Sequence, residues 1–170
     1  VARPAHVHVV NALPKTRSGK LLRRSLQALA ELPGSRLAAV SSLYASDPLG
    51  PADQPRYVNA VVALETDLEP LALLDALQRI ELAQGRERKA ERWGPRTLDV
   101  DIVDIEGYTC DDPELIVPHP YAHERAFVLI PWLAADAGAR LSGEGVAKRV
   151  AALDPKERAE IRPLGMMEEL

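Results

Sequence analysis

Five cations precede a pair of aspartates within residues 86–101, and this run is where the sequence most clearly offers chemistry. The aspartates, Asp99 and Asp101, fall in a mostly β-branched and apolar stretch, so on a strand they would share one face at about 6–7 Å. Carboxylates at that spacing suit Mg²⁺, which fills its other positions with water and phosphate oxygens. The run predicts a metal-assisted polyphosphate site, with the remaining charge bound by the cations. These are Arg86, Arg88, Lys89, Arg92 and Arg96.

A simpler interpretation is a solvated helix face followed by a polar strand edge. The corner Trp93-Gly94-Pro95 between the cations favours the functional interpretation. A surface helix gains nothing from a buried-type tryptophan beside a helix-breaking Gly-Pro pair.

Composition limits the class of protein. With 170 residues, 46% of them hydrophobic, the chain is expected to form a single domain over residues 1–170, with a loosely held charged tail at 154–170. The net charge of −4 and the aromatic content of 4% argue against a general nucleic-acid binder. Cys110 is the single cysteine, which excludes a disulfide framework. Without a long apolar run or a signal-peptide pattern, we expect a cytoplasmic protein, with no membrane partner.

Hydrophobic periodicity predicts alternating strands and helices. Strands are expected at residues 7–10, 37–44, 57–65 and 98–105, with a short apolar segment at 115–117. Helices are expected at residues 17–32, 71–84 and 124–135. Residues 46–56, rich in proline, would form a long loop. This order favours an α+β sandwich, with helices packed on a largely antiparallel sheet.

Four segments together resemble one family, the 6-hydroxymethyl-7,8-dihydropterin pyrophosphokinases. The segments read DPLGPADQP with YVNA (residues 47–60), QRIE with GRER (78–88), RWGPRTLDVD (92–101), and VPHP with RAF (117–127). The resemblance covers roughly residues 37–133, and the RWGPRTLDVD string is highly specific. It implies a ferredoxin-like three-layer α+β sandwich. It also implies an enzyme that moves diphosphate from ATP to a pterin alcohol in folate biosynthesis and releases AMP.

The resemblance further implies roles for matching residues. Asp99 and Asp101 would ligate two Mg²⁺ ions, and Arg86 and Arg92 would lie on a catalytic loop that closes over the triphosphate. The ATP-binding set would be Gln78, Arg88, Lys89, Trp93, Arg96, Ile102, His119 and Arg125. The pterin-binding set would be Leu49, Tyr57, Asn59, Trp93 and Phe127.

Physical chemistry agrees with several of these roles, and alternatives stay open for some. A flat heterocycle suits the aromatic faces of Tyr57 and Phe127, and an amide such as Asn59 both donates and accepts. Taken alone, the two aromatic residues would instead be core, and His119 would be a structural loop histidine. We expect a monomer that acts on small molecules.

The N-terminal segment departs from the family. Where the family has a Gly-Ser-Asn-Leu turn, this chain has Ala12-Leu13-Pro14-Lys15. Residues 13–20 instead resemble the catalytic-lysine motif of acyl-adenylate-forming ligases, in which Lys20 would be the lysine, although the host domain of that motif is absent. Asp104 replaces an apolar strand residue, Pro120 an aromatic residue, and Ile116 a hydroxyl residue. Two alternatives to an active enzyme therefore remain: an impaired ATP–Mg²⁺-binding scaffold, and a nucleic-acid or partner-binding module.

Overall fold

The computed structural model describes residues 5–14, 18–46, 57–83 and 98–165, with the backbone alone for residues 5–14 and 18–22. The strands are β1 (Ala5–Pro14), β2 (Ser35–Val40), β3 (Leu43–Ser46), β4 (Tyr57–Thr66), β5 (Asp99–Ile105), β6 (Cys110–Asp112), β7 (Leu115–Val117), β8 (Arg140–Leu141), β9 (Glu144–Gly145) and β10 (Arg162–Gly165). The helices are α1 (Ser18–Ala30), α2 (Pro70–Ala83), α3 (Ala126–Ala135), α4 (Val146–Ala152) and α5 (Pro155–Ala159), with a 3₁₀ turn at Ala122–Glu124.

An antiparallel sheet is the centre of the fold. Within the described residues it has six strands, in the order β10-β3-β4-β1-β5, and β2 pairs with the far end of β4. Strand β4 lies between neighbours on both sides and is buried on both faces, which explains its nearly continuous apolar sequence.

Helices cover both faces of this sheet and form two apolar cores. On one face, α1 and α2 pack through Leu29, Leu73 and Leu77 against strand residues such as Val58 and Val100. On the other face, α3 and α4 pack through residues that include Leu129, Trp132 and Val146 against Val61 and Val103. Alternation along β4 and β5 sends successive side chains to opposite cores. The predicted α+β three-layer sandwich is confirmed.

The local signals for the two long helices are also confirmed. Helix α1 ends before Pro33-Gly34, and Gly34 adopts a φ of 67°, which a residue with a side chain rarely takes. Helix α2 begins at Pro70, where the missing N–H costs nothing because the first turn has no helical acceptor. Within the described ranges, no helix combines the length and the apolar composition that crossing a membrane requires.

The single strand expected at residues 37–44 is wrong, since the chain forms β2 and β3 with a break between them. Ser41 lies in the break, where its N–H donates to Val61 O at 2.9 Å and its Oγ accepts from Val61 N at 2.9 Å. One buried serine thus satisfies both backbone groups of Val61 where the ladder is interrupted.

Two expectations at the ends of the chain need correction. The strand expected at residues 7–10 is too short, and residues 12–14, which stand where the family has a turn, belong to it, because β1 continues through Pro14 and pairs with β4 as far as Tyr57. The loosely held tail is wrong for much of its length, because α5 forms and β10 pairs with β3 at the edge of the main sheet. Lys15 and residues 166–170 lie outside the described residues.

Candidate functional site

Asp99 and Asp101 lie on the same face of β5, the edge strand next to β1. Both side chains are half-buried. Val100, which lies between them, and Ile102, which follows Asp101, are buried in the core on the opposite face of the sheet. This alternation confirms the strand that the sequence predicted and places the two carboxylates about 6–7 Å apart along it. Two carboxylates on a partly open face are a donor set that fits Mg²⁺, because this ion keeps several waters and takes phosphate oxygens.

Strand register connects Asp99 with Asn59 across the sheet. Ala12 of β1 is the register partner of Asn59 on one side and of Asp99 on the other. Residues directly opposite in antiparallel strands share a face, so Asn59 and Asp99 face the same side, two strand spacings or about 10 Å apart. The candidate site is therefore assembled by the sheet from segments that are distant in sequence.

Asn59 is 1% exposed and bonded to strand β3. Its Nδ2 donates to Ser46 Oγ at 2.7 Å and to the Tyr44 carbonyl oxygen at 3.5 Å. Among the described residues, no group donates to Asn59 Oδ1. A buried acceptor without a partner is costly in a protein interior, and it is typical of a place where a ligand binds.

Tyr57 lies at the start of β4, two residues before Asn59 and on the same face. Its register partners are Ser46 of β3 and Pro14 of β1, so it marks the end of the central ladder. It is half-buried, which leaves part of the ring available to a ligand. Residues 47–56, with Leu49 among them, lie outside the described part of the chain.

Arg125 and two aromatic rings lie where α3 begins, on the face of the sheet that carries Asp99. The guanidinium carbon of Arg125 lies 5.4 Å from the ring centroid of Tyr121 and 5.5 Å from that of Phe127. Contacts of this kind hold an arginine in place while its N–H groups remain available as donors. Tyr121 was not selected from the sequence. It follows Pro120, the position at which the family has an aromatic residue. Its exposed ring lies 6.1 Å from the ring of His119.

His119 is held beside β5 by its own backbone. Its N–H donates to Val103 O at 2.8 Å, and its Nδ1 accepts from the Tyr121 N–H at 3.2 Å. Burial lowers the pKa of His119 and the Arg125 guanidinium lowers it further, whereas the Asp99 carboxylate acts in the opposite direction. The imidazole is therefore held neutral near pH 7, with its proton on Nε2, which makes Nε2 a hydrogen-bond donor.

Glu81 lies on the buried face of α2. It is 3% exposed and its Oε1 accepts from the Val100 N–H at 3.2 Å. Val100 lies between Asp99 and Asp101 on β5, and its N–H is bonded to α2. A buried carboxylate thus holds the edge strand that carries the aspartate pair. No sequence pattern predicts this contact, because it joins elements 19 residues apart.

Two members of the predicted ATP-binding set do not share the face of Asp99. The Ile102 side chain is buried in the core under α1 and α2, and Gln78 is exposed on α2, on that same side of the sheet. Ile102 can therefore offer only its backbone to a ligand on the Asp99 face. The members that lie outside the described residues are Arg86, Arg88, Lys89, Arg92, Trp93 and Arg96.

Comparison with known proteins identifies relatives along most of this chain. A family profile described as 7,8-dihydro-6-hydroxymethylpterin-pyrophosphokinase matches residues 15–137. The match begins at Lys15, the last residue of the segment Ala12–Lys15 in which the sequence departs from the family pattern.

Curated relatives carry the name 2-amino-4-hydroxy-6-hydroxymethyldihydropteridine pyrophosphokinase. The Pseudomonas aeruginosa protein is 60% identical over 110 residues, which cover 65% of this chain and 67% of the relative. The Methylorubrum extorquens protein is 41% identical over 142 residues, which cover 82% of this chain and 89% of the relative.

Solved structures are similar in fold. A chain described as HPPK-DHPS in complex with substrates superposes with a TM-score of 0.70 at 12% identity, covering 89% of this chain. A Plasmodium falciparum HPPK-DHPS chain gives a TM-score of 0.68 at 13% identity, also over 89% of this chain. The present chain spans 43% and 46% of those two longer chains.

Proposed function

The chain belongs to the 7,8-dihydro-6-hydroxymethylpterin-pyrophosphokinase family, and from this premise we propose that it transfers diphosphate from ATP to 6-hydroxymethyl-7,8-dihydropterin. AMP is the second product, and the reaction serves folate biosynthesis. One observation carries the proposal: the sheet brings onto one face a carboxylate pair and a buried amide whose oxygen has no donor among the described residues.

Asp99 and Asp101 would hold Mg²⁺, and we propose two ions because a triphosphate bound across this face offers oxygens to more than one. When bound, the metal supplies charge neutralisation on the phosphate oxygens. The half-buried setting of both carboxylates supports this role, since part of each side chain stays accessible while the strand fixes its direction.

Arg125 and His119 would bind phosphate oxygens in addition to those that the metal ions bind. The guanidinium lies near two aromatic rings and would donate to phosphate oxygens from its planar N–H groups, and neutral His119 would donate from Nε2. We propose that Arg86, Arg88, Lys89, Arg92 and Arg96 complete the cationic clamp, with Trp93, Gln78 and the Ile102 backbone contacting the nucleoside. Their support is the match of the motif to the family.

The pterin would lie over Tyr57, Asn59 and Phe127, with Leu49 and Trp93 at its border. Its hydroxymethyl oxygen attacks the β-phosphorus of ATP, the bond from that phosphorus to the AMP oxygen breaks, and the hydroxyl proton leaves to solvent. Transfers of this kind depend on positioning and electrostatics, so a strong general base is not required.

We also propose that the enzyme acts as a monomer in the cytoplasm, with residues 1–170 forming one domain.

Release of AMP from ATP, measured with and without the pterin alcohol, tests the proposal. We expect AMP only when ATP, Mg²⁺ and the pterin alcohol are all present. Nucleotide binding without pterin-dependent AMP would instead indicate the impaired scaffold, and salt-sensitive binding of oligonucleotides would indicate the nucleic-acid module.

A further inference from the structure

Among the residues that the structure describes, the Asn59 side chain has hydrogen-bond partners on one side only. Both N–H groups of its amide are directed at strand β3, one to Ser46 Oγ at 2.7 Å and one to the Tyr44 carbonyl oxygen at 3.5 Å. Ser46 is itself buried, at 6% exposure. The nitrogen of this amide therefore has no donor left for a ligand.

The direction of the amide follows from its partners. A carbonyl oxygen such as that of Tyr44 accepts and never donates, so the atom that faces it must be Nδ2. Ser46 Oγ gives the shorter of the two bonds; because a hydroxyl can accept as well as donate, it strengthens the orientation that the Tyr44 carbonyl oxygen selects. Oδ1 consequently points away from β3, and within the described residues it has no donor.

We propose that Ser46 is a positioning residue. It holds the Asn59 amide so that only the amide oxygen, a hydrogen-bond acceptor, faces the edge of the ligand. The ligand must then present an N–H group to Oδ1, as the amino group and the ring lactam N–H of a pterin do. This inference rests on the proposed function and deepens it by assigning the determinant of ring specificity. It also replaces the sequence-based expectation that Asn59 both donates to and accepts from the pterin.

Removal of the Ser46 hydroxyl has a defined consequence. Without it, the amide keeps only the long bond to Tyr44 O and is free to rotate, so a nitrogen can face the ligand in place of the oxygen. Ser46→Ala should then lose affinity for ligands with N–H donors and lose the preference for them. Ser46→Thr keeps the hydroxyl and should restore both properties.

The test is calorimetry of 6-hydroxymethylpterin, its 3-methyl derivative and its derivative without the 2-amino group, each with a non-hydrolysable ATP analogue and Mg²⁺ present. Each derivative lacks one N–H donor of the pyrimidine ring. We expect the parental protein to prefer 6-hydroxymethylpterin over at least one derivative by about tenfold or more. Ser46→Ala should weaken the preferred ligand about fivefold or more and reduce that preference, with unchanged affinity for the ATP analogue.

Several results would overturn the inference. One is a Ser46→Ala protein with parental affinity and preference. Another is equal weakening of all ligands including the ATP analogue, which is what a purely structural role would produce. A third is a parental protein that binds all three ring compounds equally.

Two further results have a definite meaning. If Ser46→Ala does not fold, Ser46→Cys, which is close in size and a weak acceptor, is judged by the same criteria. If the parental protein binds the ATP analogue but no pterin, the proposed function itself fails, and the inference fails with it.

Discussion

The aspartate pair on β5 makes the most direct residue-level prediction. Asp99→Asn and Asp101→Asn keep the shape of each side chain but remove the charge that a divalent cation requires. We expect kcat/KM for AMP formation to fall by about 10²–10³-fold or more, with the free energy of unfolding within about 1 kcal/mol of the parent. Asp111→Asn, at an exposed aspartate of β6, is the matched control and should change neither quantity. Near-parental turnover of either site variant at saturating Mg²⁺ would remove the metal role from that residue.

Asp104 predicts a pH dependence of stability. Burial raises the pKa of Asp104 to about 6 from 3.8, Glu106 adds to the rise, and the bond to the Ile105 backbone opposes it. The folded state therefore binds this proton more tightly than the unfolded state. The stability it contributes is full below pH 4 and is lost as the pH rises through 6.

Asp104→Asn removes that titration. Urea unfolding at pH 7.5 should show the variant more stable than the parent, by on the order of 1 kcal/mol since the group is only partly buried. The difference should shrink towards zero near pH 4. A difference that is the same at both pH values would mean that Asp104 does not titrate in this range.

The sequence predicts some of these site features and not others, and the difference has a physical reason. Asp99 and Asp101 were predictable because period two along one strand is a local property. The bonds from Asn59 to Ser46 and from Glu81 to Val100 were not, since each joins residues that only the sheet or the helix packing brings together. Asp104 was recognisable as a replacement for an apolar strand residue, but the direction of its pKa shift depends on the burial that the fold gives it.

At the scale of elements, β5 depends on a contact from α2. Glu81→Ala would leave the buried Val100 N–H without its acceptor, and we expect a loss of about 1–3 kcal/mol in the free energy of unfolding. Because Val100 separates the two aspartates, the Mg²⁺ concentration for half-maximal turnover should rise as well. Glu81→Gln retains an acceptor oxygen and should lie between parent and Ala in both measurements. An alanine variant with parental stability and parental Mg²⁺ dependence would mean that β5 is held by other contacts.

Element boundaries were less predictable than element types. The break between β2 and β3 depends on Ser41 replacing a ladder bond, which is a tertiary event. The continuation of β1 through Pro14 depends on pairing with β5 as far as Ala12 and with β4 through Pro14, which outweighs the local tendency of the Leu-Pro pair to turn.

At the scale of the whole molecule, β10 covers the outer edge of β3, the strand that carries Tyr44 and Ser46. Truncation after Glu160 removes β10 and exposes that edge. We expect a lower melting temperature and weaker pterin binding, because β3 loses one of its two neighbours. Deletion of residues 166–170 alone is the control and keeps the β10–β3 pairing. If both truncated proteins melt and bind like the parent, β10 does not support the site.

The fate of the β-phosphorus of ATP shows directly whether this molecule transfers diphosphate. With ATP labelled by ³²P at the β-phosphorus, Mg²⁺ and 6-hydroxymethyl-7,8-dihydropterin, the label should appear in the pterin product while unlabelled AMP accumulates. Label that remains in ADP would show transfer of the γ-phosphoryl group alone, and label that appears only in inorganic phosphate or diphosphate would show hydrolysis. Either result would show that the molecule does not transfer diphosphate from ATP to the pterin.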